Sequence, residues 1–306
     1  MRTFAVWATY LAAVFVGGAL LAPWAYHGAQ AAAGVWPALQ DLAGEPFHRY
    51  VHRCMLGLAL AGLWPATRLL GLRSARALGL GGPRSRWLRE AACGLAAGFL
   101  SLALIAAAAM ALGGREWDAP ESLAKLLGDI AGATLAAAVV AALEETLFRG
   151  AVFGSLRKEL SFVPALCLSS AVYAWAHFFA RARWEERVDA LAGLAVLRGM
   201  LSGLTNVQAL LPGFLTLTLA GALLAWGYER TGRLAFSMGL HAGWIFWLKA
   251  YGALTDPAPG GSAFWWGSGK LVDGWAAFLA LAALAACLPR ILKKCPENAS
   301  SKEPGG

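Results

Sequence analysis

Charge is what this sequence has least of. Only 14% of its 306 residues are Asp, Glu, Lys or Arg, against 58% hydrophobic, and its mean hydropathy is +0.55. A soluble domain carries about 25% charged residues, so the composition excludes a disordered chain and argues against a water-filled surface. The net charge of +8 does not point to nucleic acid, because the Arg and Lys residues sit in short loops between apolar runs, where they set topology. No nucleic-acid partner is expected. Cysteine is also sparse: Cys54, Cys93, Cys167, Cys287 and Cys295 form no CxxC pair and no metal-ligand spacing, which predicts small buried thiols. An internal repeat, a heptad pattern and an HExxH metal motif are all missing.

What the chain does have is long apolar runs. A membrane-spanning helix needs about 20 such residues, and about eight stretches qualify, near 4–26, 54–71, 89–112, 126–148, 161–180, 207–228, 233–254 and 272–290. The first is too long for a signal-peptide core and has no small-x-small cleavage site, so it counts as a span. The expected fold is an all-α, polytopic membrane protein. Arg73, Arg76, Arg84, Arg86 and Arg89, with Arg290, Lys293 and Lys294, predict that the second connection and both termini are cytoplasmic. A bacterial plasma membrane is the expected location. The segments 27–53, 113–125 and 255–271 then lie outside, with Trp117, Phe264, Trp265 and Trp266 as interfacial anchors. Residues 181–206 break the charge rule with Arg181, Arg183, Arg187 and Arg198. Their stripe of Val188, Leu191, Leu194, Val196 and Leu197 predicts an amphipathic helix at the interface. The expected organisation is 1–124 for the first three spans, 125–250 for a functional core, 251–295 for a last span and 296–306 for a disordered tail. The Asn298-Ala299-Ser300 sequon in that tail reads as chance.

Ionisable groups inside a span cost about 2.5–3.5 kcal/mol each to insert, so they are functional candidates by default. Three clusters qualify: Glu144-Glu145-Thr-Leu-Phe-Arg149, Tyr173-Ala-Trp-Ala-His177, and His241 with Trp244 and Ile245 one turn beyond. On a helix Glu145 and Arg149 are four apart in the favourable acid-before-base order. Glu144 is rotated by about 100° from that pair. One carboxylate is thereby tied to a cation and structural, while the other faces a cavity and can serve as general base. The two histidines can converge on it from other helices, giving hydrolysis without a Ser or Cys nucleophile. Each group also has a plainer reading: a snorkelling ion cluster for Glu144, Glu145 and Arg149, a Tyr173 hydrogen bond for His177, and a Ser237 hydrogen bond for His241.

Taken together, the three clusters resemble the CPBP (CAAX protease and bacteriocin-processing) intramembrane endopeptidases, also called the Abi or CAAX prenyl protease 2-like family. Glu144-Glu145-xxx-Arg149 matches their EExxxR motif in full, Tyr173-xxx-His177 matches FxxxH with Tyr for Phe, and His241 stands at the third motif. Ile245 occupies the place where many members carry Asn. The resemblance covers about residues 125–250. It implies that Glu144 and His177 activate a water, that His241 helps stabilise the oxyanion, and that Glu145 and Arg149, with Tyr173, support the site. It also implies membrane-anchored peptide or protein substrates. Zinc is a second option, with Glu144, His177 and His241 as ligands, although a glutamate-activated water suits the motif better. For Glu144 and His177 to meet, residues about 150–160 should form a separate amphipathic helix and the fifth span should start near Pro164. A non-catalytic immunity or scaffold protein of the same fold and a proton-relay transporter are the alternatives. The sequence is silent on oligomeric state.

Overall fold

The computed structural model describes residues 2–180, 182–205, 207–267 and 271–295. The long helices, in chain order, are α1 (Arg2–Ala12), α2 (Gly18–Ala33), α3 (Phe47–Leu69), α4 (Arg84–Ala111), α5 (Leu123–Glu145), α6 (Phe162–Trp175), α7 (Ala192–Leu201), α8 (Val207–Thr231), α9 (Ala235–Leu254) and α10 (Trp275–Lys294). The protein is an all-α integral membrane protein. Five stretches are long and apolar enough to cross a bilayer: Arg2–Ala33, Arg84–Ala111, Leu123–Leu156, Leu210–Thr231 and Trp275–Lys293. The other three expected stretches are occupied by α3, α6 and α9. Of these, α6 has 14 residues, a rise of about 21 Å, which is short of a hydrocarbon core about 30 Å thick.

The helices sort into two units that interleave along the chain: residues 1–73 with 176–208, and residues 74–175 with 209 onward. In the first unit, Ala19 and Ala22 of α2, Phe47, Tyr50, Val51 and Met55 of α3, and Ala192, Val196, Leu197 and Met200 of α7 share one apolar core. Gly193 sits so near the Ala19 carbonyl that a Cβ would stand 1.9 Å from its oxygen. Val196 and Leu197 of the α7 stripe therefore pack against protein, while Leu191 is exposed. The expected helix over 181–206 is confined to Ala192–Leu201 and a 3₁₀ turn at Ser202–Leu204, with Val188 and Leu191 ahead of it. Arg181 lies outside the described residues.

The second unit is built around α4 and α9. A small-residue seam on each helix lets the backbones touch: a Cβ at Gly94 would lie 2.1 Å from the Phe236 oxygen, and one at Gly239 would lie 2.0 Å from the Ala91 oxygen. Such seams are a common solution in membranes, where close packing replaces the hydrophobic drive between helices. Leu102, Ile105, Leu223, Leu224, Phe236, Leu240, Leu281 and Leu288 extend the core to α8 and α10. At the start of α9, Arg233 donates two hydrogen bonds to the buried carboxylate of Glu90, which also accepts from Arg86 Nε at 3.1 Å. At its far end a short antiparallel ladder pairs β1 (Arg115–Trp117) with β2 (Thr255–Pro257). The buried Arg115 closes that ladder on Thr255 and lies 4.6 Å over the Tyr251 ring. The ladder joins two segments that loop charge had assigned to one side.

Two features depart from expectation. α5 does not stop near residue 148: it continues through a π-helical stretch at Thr146–Phe153 and a short turn of α-helix at Gly154–Leu156. Residues 150–160 are thus no separate amphipathic helix. The chain turns at 157–161 before α6 opens at Phe162, close to the expected start. The cysteines are also not uniformly buried thiols. Cys93 and Cys295 form a disulfide across a sequence separation of 202, Cys54 is half-buried, and Cys167 and Cys287 are exposed. The 296–306 tail, expected to be disordered, lies outside the described residues.

Candidate active site

The first motif is held where α5 passes into its π-helical continuation. In a π-turn the backbone bonds run from i to i+5, and residues four apart still share a face. Glu145 and Arg149 use that geometry: Arg149 Nη1 donates to Glu145 Oε1 at 2.8 Å, with both side chains buried. The predicted pairing is present. Because α5 and its continuation run from Leu123 to Leu156, Glu144 lies well inside the helical run rather than at its end. It is 28% exposed, whereas Glu145 is fully buried. The two adjacent carboxylates accordingly meet different surroundings.

His241 comes from α9, placed by the α4–α9 seam: Gly239 and Gly243 flank it, and both press on the α4 backbone. Its Nδ1 lies 2.8 Å from Glu145 Oε1. That same oxygen accepts from Arg149, so it belongs to a carboxylate and can only accept, which assigns the Nδ1 proton to His241. In the neutral imidazole the remaining nitrogen, Nε2, carries the lone pair. Two groups face it: the Tyr173 hydroxyl at 3.3 Å, which donates to that neutral form, and Glu144 Oε2 at 3.9 Å. A separation of 3.9 Å is too long for a hydrogen bond. It accommodates an atom about 2.8 Å from each group, the contact distance of a bridging oxygen.

Tyr173 lies near the end of α6, where Gly221 of α8 permits close approach: a Cβ there would be 3.2 Å from the tyrosine ring. Its ring is buried, meets Phe148 edge-on at 5.1 Å, and carries the Arg149 guanidinium 4.2 Å from its centroid. Arg149 is thereby held by Glu145, by the Gly221 carbonyl at 3.5 Å from Nη2, and by the π-face of Tyr173. The plainer reading of His177 gave it a hydrogen bond from Tyr173, one turn back. Its hydroxyl meets His241 Nε2, and α6 stops at Trp175, which leaves His177 outside the helix.

The second unit therefore brings together Glu144, Glu145, Arg149, Tyr173 and His241. His177 falls in the first unit, exposed in the turn that follows α6. The hydroxyl of Ser237 does not reach His241; it donates to the Leu224 carbonyl at 2.8 Å. Ile245 packs with Ala137 and Ala141, and Trp244 Nε1 donates to Ser101 Oγ at 3.0 Å. Among the described residues no three metal-ligating side chains stand close enough to hold an ion.

The chemistry available is an imidazole, oriented by a buried carboxylate–guanidinium pair, whose Nε2 faces a second carboxylate across a gap that one oxygen can fill. Residues 127–247, which carry this whole arrangement, match the family described as type II CAAX prenyl endopeptidase Rce1-like. No curated protein and no solved structure matches the chain.

Proposed function

From the membership of residues 127–247 in the Rce1-like CAAX protease family, we propose that this integral membrane protein is an endopeptidase that hydrolyses a peptide bond in a membrane-anchored substrate. The single observation that carries the reading is the pair formed by Glu144 Oε2 and His241 Nε2, 3.9 Å apart with the imidazole tautomer set by Glu145. A water between the two would give its proton to Glu144 while donating a second hydrogen bond to Nε2. Its oxygen would attack the scissile carbonyl, and Glu144 would return the proton to the leaving amine. Glu145 and Arg149 act one step back, holding the imidazole in the tautomer that leaves Nε2 free to accept.

Family membership supports peptide substrates that reach the site from the bilayer: lipid-modified or membrane-embedded tails, or leader peptides. The orientation we propose follows loop charge, with both termini and the Glu144 end of α5 towards the cytoplasm of a bacterial plasma membrane. His177 carries a role only by resemblance, as a second group on the water.

Cleavage of a tail peptide by membranes containing the wild-type chain, set against Glu144→Ala, His241→Ala and His177→Ala, tests the proposal. Loss of cleavage in the first two variants with normal folding is the expected result. Cleavage that survives Glu144→Ala overturns the mechanism. A biological effect that persists without cleavage returns the reading to a scaffold or immunity protein.

A further inference from the structure

Hydrolysis as proposed needs a donor for the carbonyl oxygen once it becomes an oxyanion, and each such donor is worth about 10²–10³ in kcat. The polar groups around His241 can be taken in turn. Its own Nδ1 donates to Glu145, and Trp244 Nε1 to Ser101 Oγ. Ser237 Oγ donates to the Leu224 carbonyl, and Thr146 Oγ1 to the Ala142 carbonyl at 2.7 Å. Arg149 Nη1 is bonded to Glu145 and its Nη2 to the Gly221 carbonyl at 3.5 Å, and Ile245, one turn beyond the histidine, offers only hydrocarbon. Tyr173 differs from all of these. Its hydroxyl rests on His241 Nε2, the nitrogen that must accept from the water when the reaction begins.

We propose that Tyr173 is a catalytic residue whose hydroxyl supplies the oxyanion donor, its O–H turning from His241 Nε2 to the substrate carbonyl oxygen when the peptide and water are in place. The inference rests on the hydrolase reading above and extends it. The O–H rotates about the C–O bond while the ring stays where it is, clamped under the Arg149 guanidinium and against Phe148. Turning away frees the Nε2 lone pair for the water. Glu144 then takes the water proton, the new C–O bond forms, and the carbonyl π-pair moves onto the oxygen facing Tyr173. Collapse breaks the C–N bond, and the amine leaves with the proton held by Glu144. No other reactant is needed. The same motion makes the resting bond a latch, since Nε2 is covered until a carbonyl offers the hydroxyl a better acceptor.

Tyr173→Phe keeps the ring and removes the O–H alone. The expected result is a kcat lower by about 10²–10³ at unchanged KM, with binding of a phosphinate peptide, a tetrahedral mimic, weakened by the factor lost in kcat/KM. Wild-type kcat and phosphinate affinity in that variant overturn the proposal. Glu144→Ala, measured beside it, separates the two ideas: if it abolishes cleavage while Tyr173→Phe has no effect, only the tyrosine assignment fails. If Glu144→Ala still cleaves, the hydrolase mechanism itself fails. Should the phenylalanine variant not fold, a site-specific fluorotyrosine at 173 keeps ring and hydroxyl while strengthening the donor. A kcat that moves with fluorination supports the assignment, and one that does not overturns it.

Discussion

Gly98 of α4 meets Leu240 of α9 so closely that a Cβ at Gly98 would stand 2.1 Å from the Leu240 carbonyl oxygen. The obstacle is backbone, which cannot rotate aside as a side chain would. Leu240 precedes His241, so the position of the imidazole is set by the absence of a side chain on the neighbouring helix.

Replacement of Gly98 by Leu should therefore push α9 away from α4. A cost of about 1–3 kcal/mol is expected from overpacking, with loss of peptide cleavage as His241 leaves Glu145. Thermal denaturation in detergent and a cleavage assay read the two effects. Gly132→Ala on α5 is the control, since a Cβ there meets nothing within 4 Å, and it should leave both unchanged or raise stability slightly.

Arg149→Ala should cost more than an average substitution. It removes one partner of a buried ion pair and leaves the Glu145 carboxylate, fully buried, with His241 alone. A loss of about 3–5 kcal/mol is the usual result of breaking such a pair. Tyr173 loses the guanidinium over its ring at the same time. A melting curve indistinguishable from wild type would show that the pair contributes nothing to the fold.

The disulfide makes a chemical prediction. In protein purified without reductant, Cys167 and Cys287 should react with a maleimide, while Cys93 and Cys295 should react only after reduction. Mass spectrometry of the labelled peptides distinguishes the four. Quenched labelling in intact cells adds a second reading, because a reducing cytoplasm keeps thiols free. Bonded cysteines there would place this end of α4 and α10 outside and reverse the proposed orientation.

Chelators should leave cleavage unchanged. The mechanism assigns the water to Glu144 and His241, and among the described residues no three metal-ligating side chains stand close enough to hold an ion. Activity lost to phenanthroline and restored by added zinc would count against the glutamate mechanism.

The helices were legible because a run of about 20 apolar residues has few other stable forms. Their ends were less so. After Trp175 the chain reads Ala176-His177-Phe178-Phe179-Ala180, with no Gly, Pro or polar cluster of the kind that marks a stop. α6 nonetheless ends there, which removes His177 from the helix that its apolar surroundings predicted. The π-helical passage at Thr146–Phe153 is equally unmarked, yet it carries α5 on to Leu156 and puts Glu144 inside the helical run. The cysteine pair was invisible for another reason: a separation of 202 residues carries no local signal.

By itself the sequence determined that this chain lies in a membrane, that it is all-helical, and that Glu145 and Arg149 pair while Glu144 turns elsewhere. Those are consequences of composition and of helical periodicity, which act over a few residues. Only the tertiary structure decided that His241 Nδ1 meets Glu145, that Nε2 faces both Glu144 and the Tyr173 hydroxyl, and that Tyr173 serves α9 rather than its own helix. Such contacts join helices far apart in the chain, and they depend on how closely glycines at Gly94, Gly98, Gly221, Gly239 and Gly243 allow the backbones to approach.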